Sequence, residues 1–119
     1  FHGTHVAGTV AAAADNFTGV AGVAWGARVM PLRVLGLGGG TTDDVNQAIL
    51  YAARLPNGSG ALPAQRAAII NMSLGSRGFS QGQQDVIAQA RNQGVIIIAA
   101  AGNDAQAAGN PVNYPAAYT

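Results

Sequence analysis

A chain of 119 residues that is 49% hydrophobic and 9% charged is too apolar for a disordered segment and long enough for one small domain. Its formal net charge of +1 rests on six arginines and no lysine, and Arg28, Arg33, Arg54, Arg66, Arg77 and Arg91 are scattered, which gives no case for nucleic acid or an anionic membrane as partner. Cysteine is absent, so disulfides and thiolate metal sites are excluded, and the longest strongly apolar run, 95–101, falls far short of the roughly 20 residues a membrane span needs.

From His2 to Ala14 almost every residue is small or apolar, and a helix apolar on all sides is predicted to be buried. Asp15 and Asn16 supply turn chemistry, Gly19 and Gly22 punctuate a second loop, and Ala27 to Leu35 reads as a strand with Pro31 at an edge or bulge. After the glycine-rich loop Gly36–Gly40, Thr41 and Asp44 have capping-box spacing for a helix running to about Arg54. Its Val45, Ala48, Ile49 and Ala52 would face a core. Leu55 to Ala64 is surface loop by composition.

Ala67 to Ser73 is a short apolar run suited to a buried strand, leaving into a loop from Leu74 to Phe79. Ser80 and Gln83 form a second capping-box spacing, with Phe79 placed as a staple, Val86, Ile87 and Ala90 facing inward, and Gly94 ending the helix. Val95 to Ala101 lacks alternation and is predicted as a central parallel strand covered on both faces. Alternating helices and strands point to an α/β fold with a mostly parallel sheet.

Three segments carry chemistry. His2 opens the first helix, where a rigid base can hold an imidazole that titrates near neutrality for proton transfer. Spacing alone leaves His2 and His5 open to three readings: ordinary structural residues, an i, i+3 metal pair, or a catalytic base with a bystander. A complete zinc set is not offered, because no third ligand stands at familiar spacing and the chain has no glutamate. At the end of the predicted central strand, Gly102-Asn103 is either a plain turn or a polar side chain aimed at a ligand, since ligands gather at the carboxyl ends of strands in open α/β sheets. Ile69 to Gly75 reads only as a buried strand entering a loop. Gly36, Gly38 and Thr41 give an incomplete phosphate-loop fingerprint without lysine.

The blocks around these residues are longer than the residues themselves. His2-Gly3-Thr4-His5-Val6-Ala7-Gly8-Thr9, the run Val95 to Asn103, Ile69 to Gly75, and Tyr114-Pro115-Ala116 together resemble subtilisin-like serine peptidases, the subtilase or S8 family. The resemblance covers nearly all of the chain, least over 55–66. It implies a three-layer α/β/α fold, truncated at both ends, with residues 1–119 an internal part of one catalytic domain. It further implies that His2 is the general base, that His5 is no triad member, and that Asn103 donates its amide to the oxyanion. Ser73, Leu74 and Gly75 would form one wall of the substrate groove, Ala101 and Gly102 the facing wall, and Gly38, Gly39 and Gly40 a further edge that pairs with extended peptide. Asp104 reads as a solvated loop charge.

Asn16 matches a loop position that often helps bind structural calcium, although this copy carries one extra residue; a surface turn is the alternative, and the chemistry itself requires no cofactor. None of the five aspartates stands in the family's aspartate motif, and no Gly-Thr-Ser-Met-Ala block carries the nucleophile. The implied function is therefore that of a secreted serine endopeptidase acting on polypeptide, made with a pro-segment, of which this chain supplies base, oxyanion donor and groove and is inactive alone. A non-catalytic peptide-binding or inhibitory module is the second reading, disfavoured because such a module needs neither base nor oxyanion donor. Sheet edges left open by truncation predict marginal stability or aggregation.

Overall fold

The computed structural model describes residues 1–104 and 111–119. They form two compact units, Phe1–Arg33 and Val34–Thr119. Among the described residues no helix is long and apolar enough to cross a membrane.

In the first unit α1 spans His2–Ala11. Thr9 Oγ1 donates to the His5 carbonyl at 3.1 Å, and the chain then doubles back so that Val23 N–H donates to Thr9 O at 3.0 Å and Ala24 N–H to Val10 O at 2.8 Å. The last two bonds satisfy carbonyls that a helix end leaves without partners. The return requires close approach: a Cβ on Gly22 would stand 2.3 Å from the Ala12 nitrogen. The helix ends at Ala11 rather than Ala14, and none of its residues is buried, contrary to expectation. An all-round apolar pattern shows that a helix is suited to burial; whether a second layer covers it is decided elsewhere in the sequence. Likewise 27–35 forms no strand, because a strand exists only where a neighbour supplies hydrogen bonds, and Pro31 offers no donor.

The second unit follows the α/β alternation. α2 spans Thr42–Ala52, and its capping box is complete: the Asp44 N–H donates to Thr41 Oγ1 at 3.1 Å and Asp44 Oδ2 accepts from the Thr41 N–H at 2.9 Å. The two hydrogen bonds from Thr41, first from its side chain and then from its backbone, hold the Asp44 carboxyl below the ordinary aspartate value of 3.8. Strand β1 (Ile69–Met72) passes through α3 (Gln81–Asn92) to β2 (Ile96–Ala99), which pairs with β1 in parallel. The register sets Ile69 beside Ile96 and Met72 beside Ala99. α3 terminates at Gly94, which takes φ +82°, as the sequence predicts.

Val45 and Ile49 of α2, Met72 of β1, and Ile87 and Ala90 of α3 make the core, with Ile70, Ile97 and Ala99 packed against it. Only one face of the strand pair is thereby covered. Ile69, Ile96 and Ile98 on the other face are 58%, 57% and 51% exposed, so the expectation of a strand buried on both faces is corrected. A continuous apolar run specifies two faces that tolerate burial, but covering them takes two layers of helix, and the helices of this unit pack on one.

Candidate active site

The parallel register brings two chain segments out of the sheet side by side. Ala100 N–H donates to Met72 O at 3.0 Å, so Ser73–Gly75 and Ala101–Asn103 leave from adjacent strand ends. Ser73 Oγ accepts from Asn71 Nδ2 at 3.0 Å, and Leu74 is half-buried against the core, which makes it a packing residue as much as a groove wall. Gly38–Gly40 precedes α2, and among the described residues no hydrogen bond joins it to either segment. There Gly36 and Gly39 exchange main-chain hydrogen bonds of 2.8 and 3.2 Å, so the predicted glycine-rich loop is a closed turn with Gly39 at φ +87°. The Gly39 N–H is consumed inside that turn. A Cβ on Gly40 would overlap the Val34 carbonyl, which explains glycine at that position.

A third segment, unforeseen in this role, braces both walls. Ser76 and Tyr114 form an antiparallel bridge with bonds of 2.8 and 2.7 Å, and a Cβ on Gly75 would stand 3.1 Å from the Tyr114 carbonyl. Asn113 Nδ2 donates to the Ala101 carbonyl at 3.2 Å and lies against Gly102, whose φ of +92° and lack of side chain leave room for it. The aromatic rings of Phe79, Tyr114 and Tyr118 cluster behind this brace, with centroids 4.8 to 5.7 Å apart. The signal available was that three of the chain's seven aromatic residues fall at 79, 114 and 118. Their contact is long-range and has no periodic trace.

Asn103 is exposed and its side-chain amide has no hydrogen-bond partner among the described residues. Its neighbour Asp104 is not merely solvated as expected: Oδ2 accepts from Arg77 Nη2 at 3.2 Å, an ion pair joining the loops that extend the two walls. The segments Ser73–Gly75 and Ala101–Asn103 therefore offer main chain, a glycine on each side and one amide donor that is unpaired among the described residues. Such an arrangement can hold an extended peptide and donate to a charge developing on its carbonyl oxygen.

In the other unit His2 stands exposed in the first turn of α1, a turn closed by the His5 N–H donating to Phe1 O at 3.1 Å. Neither His2 nor His5 has a side-chain hydrogen bond among the described residues, and no group of three His, Cys, Asp or Glu side chains converges as a metal site there. Asn16 Oδ1 accepts from the Thr18 N–H at 3.1 Å, and Asp15 and Phe17 take φ of +57° and +55°. This is a closed Asx turn. Calcium takes six to eight oxygen ligands, and a turn with one side-chain oxygen already engaged does not fit it unaided.

A family model described as Peptidase S8, subtilase family, matches residues 1–119. The chain belongs to the subtilase family. Relatives include an extracellular protease of Xanthomonas campestris pv. campestris, 49% identical over 106 residues that make 88% of this chain and 18% of that protein. Thermitase of Thermoactinomyces vulgaris is 42% identical over 120 residues, 99% of this chain and 38% of the relative. Among solved structures, a protease of Pseudoalteromonas arctica PAMC 21717 superposes with a TM-score of 0.80 at 44% identity, covering 84% of this subtilase chain and 30% of that one. The α/β fold is thus that of the subtilisin-like proteases, and the chain spans well under half the length of each of these relatives.

Proposed function

We propose that the protein carrying this chain is a serine endopeptidase, and that the chain supplies its general base, its oxyanion donor and most of its peptide-binding groove. The observation that carries the reading is the pairing of strand ends, from which Ser73–Gly75 and Ala101–Asn103 leave side by side, with the Asn103 amide unpaired among the described residues. The relatives add to it, since two that are similar over most of this chain are named as proteases.

In this reading a peptide lies as an extended strand against 73–75 and 101–102, with Gly38–Gly40 as a further edge. His2 takes the proton from the serine hydroxyl as oxygen attacks the scissile carbonyl, then returns it to the leaving amine. Asn103 donates its side-chain N–H to the carbonyl oxygen as it becomes an oxyanion. The motifs of the nucleophile and of the paired aspartate are not among these 119 residues, so the isolated chain hydrolyses nothing. Export is proposed because the Xanthomonas relative is named an extracellular protease. A removable pro-segment accompanies export in this proposal.

The test is labelling of the protein that carries this chain with a serine-directed phosphonate, with and without His2→Ala. Rapid labelling that His2→Ala abolishes supports the assignment. Labelling that proceeds equally well without His2 refutes its role as base, and absence of labelling in the unaltered protein would favour a peptide-binding module.

A further inference from the structure

In the Val34–Thr119 unit, a hollow of about 530 Å³ is lined by Ala53, Arg54, Leu62, Arg66 and Gln93. None of these residues belongs to the groove described above. Two of the five side chains are guanidiniums, none is a carboxylate, and among the described residues neither guanidinium has an ion-pair or hydrogen-bond partner. The ion pair that forms among the described residues, Arg77 with Asp104, involves neither of them.

The backbone fixes where these cations stand, at the negative ends of two helices, whose partial charge the guanidiniums offset before any anion is drawn in. Both helices of the unit end beside this hollow, α3 at its C-cap Gln93 and α2 at its C-cap Ala53. The residue after each cap takes the left-handed conformation that closes a helix: Gly94 at φ +82° after α3, and Arg54 at φ +58° after α2. Glycine is the ordinary occupant because a Cβ strains the backbone there. One helix follows that rule and the other carries arginine in the same role. The guanidinium of Arg66 meanwhile reaches back over Gly94, within 3.9 Å of where a Cβ would stand. The two cations thus line one hollow from different parts of the chain, one of them at a position that resists any side chain.

We propose that this hollow binds a polyvalent oxyanion, phosphate or a di- or tricarboxylate, through the guanidiniums of Arg54 and Arg66 with the Gln93 side-chain amide as a further donor. Guanidinium groups match the planar spacing of carboxylate and phosphate oxygens, and an anion held between two unneutralised cations relieves their mutual repulsion. The competing account is that Arg54 only complements the partial negative charge at the end of α2, an effect indifferent to the valence of anions in solution.

The test is a titration of the protein with inorganic phosphate, citrate and chloride at matched ionic strength, followed through the backbone amide resonances of Arg54 and Gly94. The expected result is a saturable response to phosphate, citrate or both, weakened about tenfold or more in Arg54→Gly and in Arg66→Gln and unchanged in Arg28→Gln. Arg54→Gly separates binding from folding, because it removes the guanidinium while relaxing the backbone, and its melting temperature should equal or exceed that of the unaltered protein. A response to phosphate alone identifies a phosphoryl ligand, and one to citrate alone a carboxylate ligand. A response no greater than that to chloride, or binding retained in Arg54→Gly, overturns the proposal.

Discussion

The hydroxyl of Tyr118 accepts the Ser80 N–H at 3.1 Å, closing the N-terminus of α3 from 38 residues away. The same hydroxyl donates to Gln83 Oε1 at 3.1 Å, so Gln83 does not reach back to the Ser80 N–H as a reciprocal capping box would require. Only the other half of the box forms, with Ser80 Oγ accepting the Gln83 N–H at 3.3 Å. Phe79 packs edge-on against Tyr114 and Tyr118 rather than stapling the helix.

Tyr118→Phe should therefore cost about 1–2 kcal/mol, since it leaves the Ser80 N–H and the oxygen of a nearly buried Gln83 without their partner. Ser80→Ala should cost about 1 kcal/mol by removing the remaining cap. Denaturant unfolding measures both. A Tyr118→Phe variant as stable as the unaltered chain would show that water serves that N–H equally well.

Asp44 makes stability depend on acid. Its folded value lies below the ordinary 3.8, so ionised Asp44 stabilises the fold above that value, and the contribution is lost as pH falls through the folded value. Thermal melts between neutrality and the acid limb should show Asp44→Asn less sensitive to pH than the unaltered chain. Parallel acid limbs for the two would remove Asp44 from the account.

The Arg77–Asp104 pair is 3.2 Å long with side chains 64% and 45% exposed, so its net contribution should stay below about 1 kcal/mol and fall with added salt. A double-mutant cycle with Arg77→Gln and Asp104→Asn, at low and high ionic strength, measures it. A large coupling insensitive to salt would mean the pair is more enclosed than its exposure implies.

Gly102→Ala should displace Asn113, because the new Cβ would stand 2.5 Å from its Nδ2 on a backbone held at φ +92°. The expected cost is about 1–3 kcal/mol, with turnover of the intact protein reduced further than stability alone explains, since Asn103 follows directly. Asn113→Ala in the same chain should recover part of the loss by making room. Turnover and unfolding free energy that both match the unaltered protein would show that the brace does not fix the donor.

What the sequence revealed was mostly local. The complete box at Thr41 and Asp44, the inward Val45, Ile49 and Ala52, and the stop at Gly94 follow from patterns within a single turn or two of helix, where neighbouring residues determine the outcome. The parallel strands were legible because Ile69–Met72 and Ile96–Ala99 are short β-branched or apolar runs separated by a helix. Misreadings arose where the partner is distant or absent. The segment 27–35 has strand composition but no neighbour to pair with, α1 has an apolar circumference but no cover, and Gln83 has the right spacing while Tyr118 holds the competing bond. The same division runs through the candidate site: Asn103 and Gly102 are proposed from the block they stand in, whereas Asn113, Tyr114 and Arg77 act across the fold and leave no motif.

The central claim is that Asn103 is an oxyanion donor, and the turnover of the intact protein with Asn103→Ala tests it most directly. The account predicts a fall in kcat of about 10²–10³ at little-changed KM and unaltered melting temperature; that magnitude is the one measured for this donor in a subtilisin, taken over from the family. A kcat within about twofold of the unaltered enzyme, with the fold intact, would contradict it.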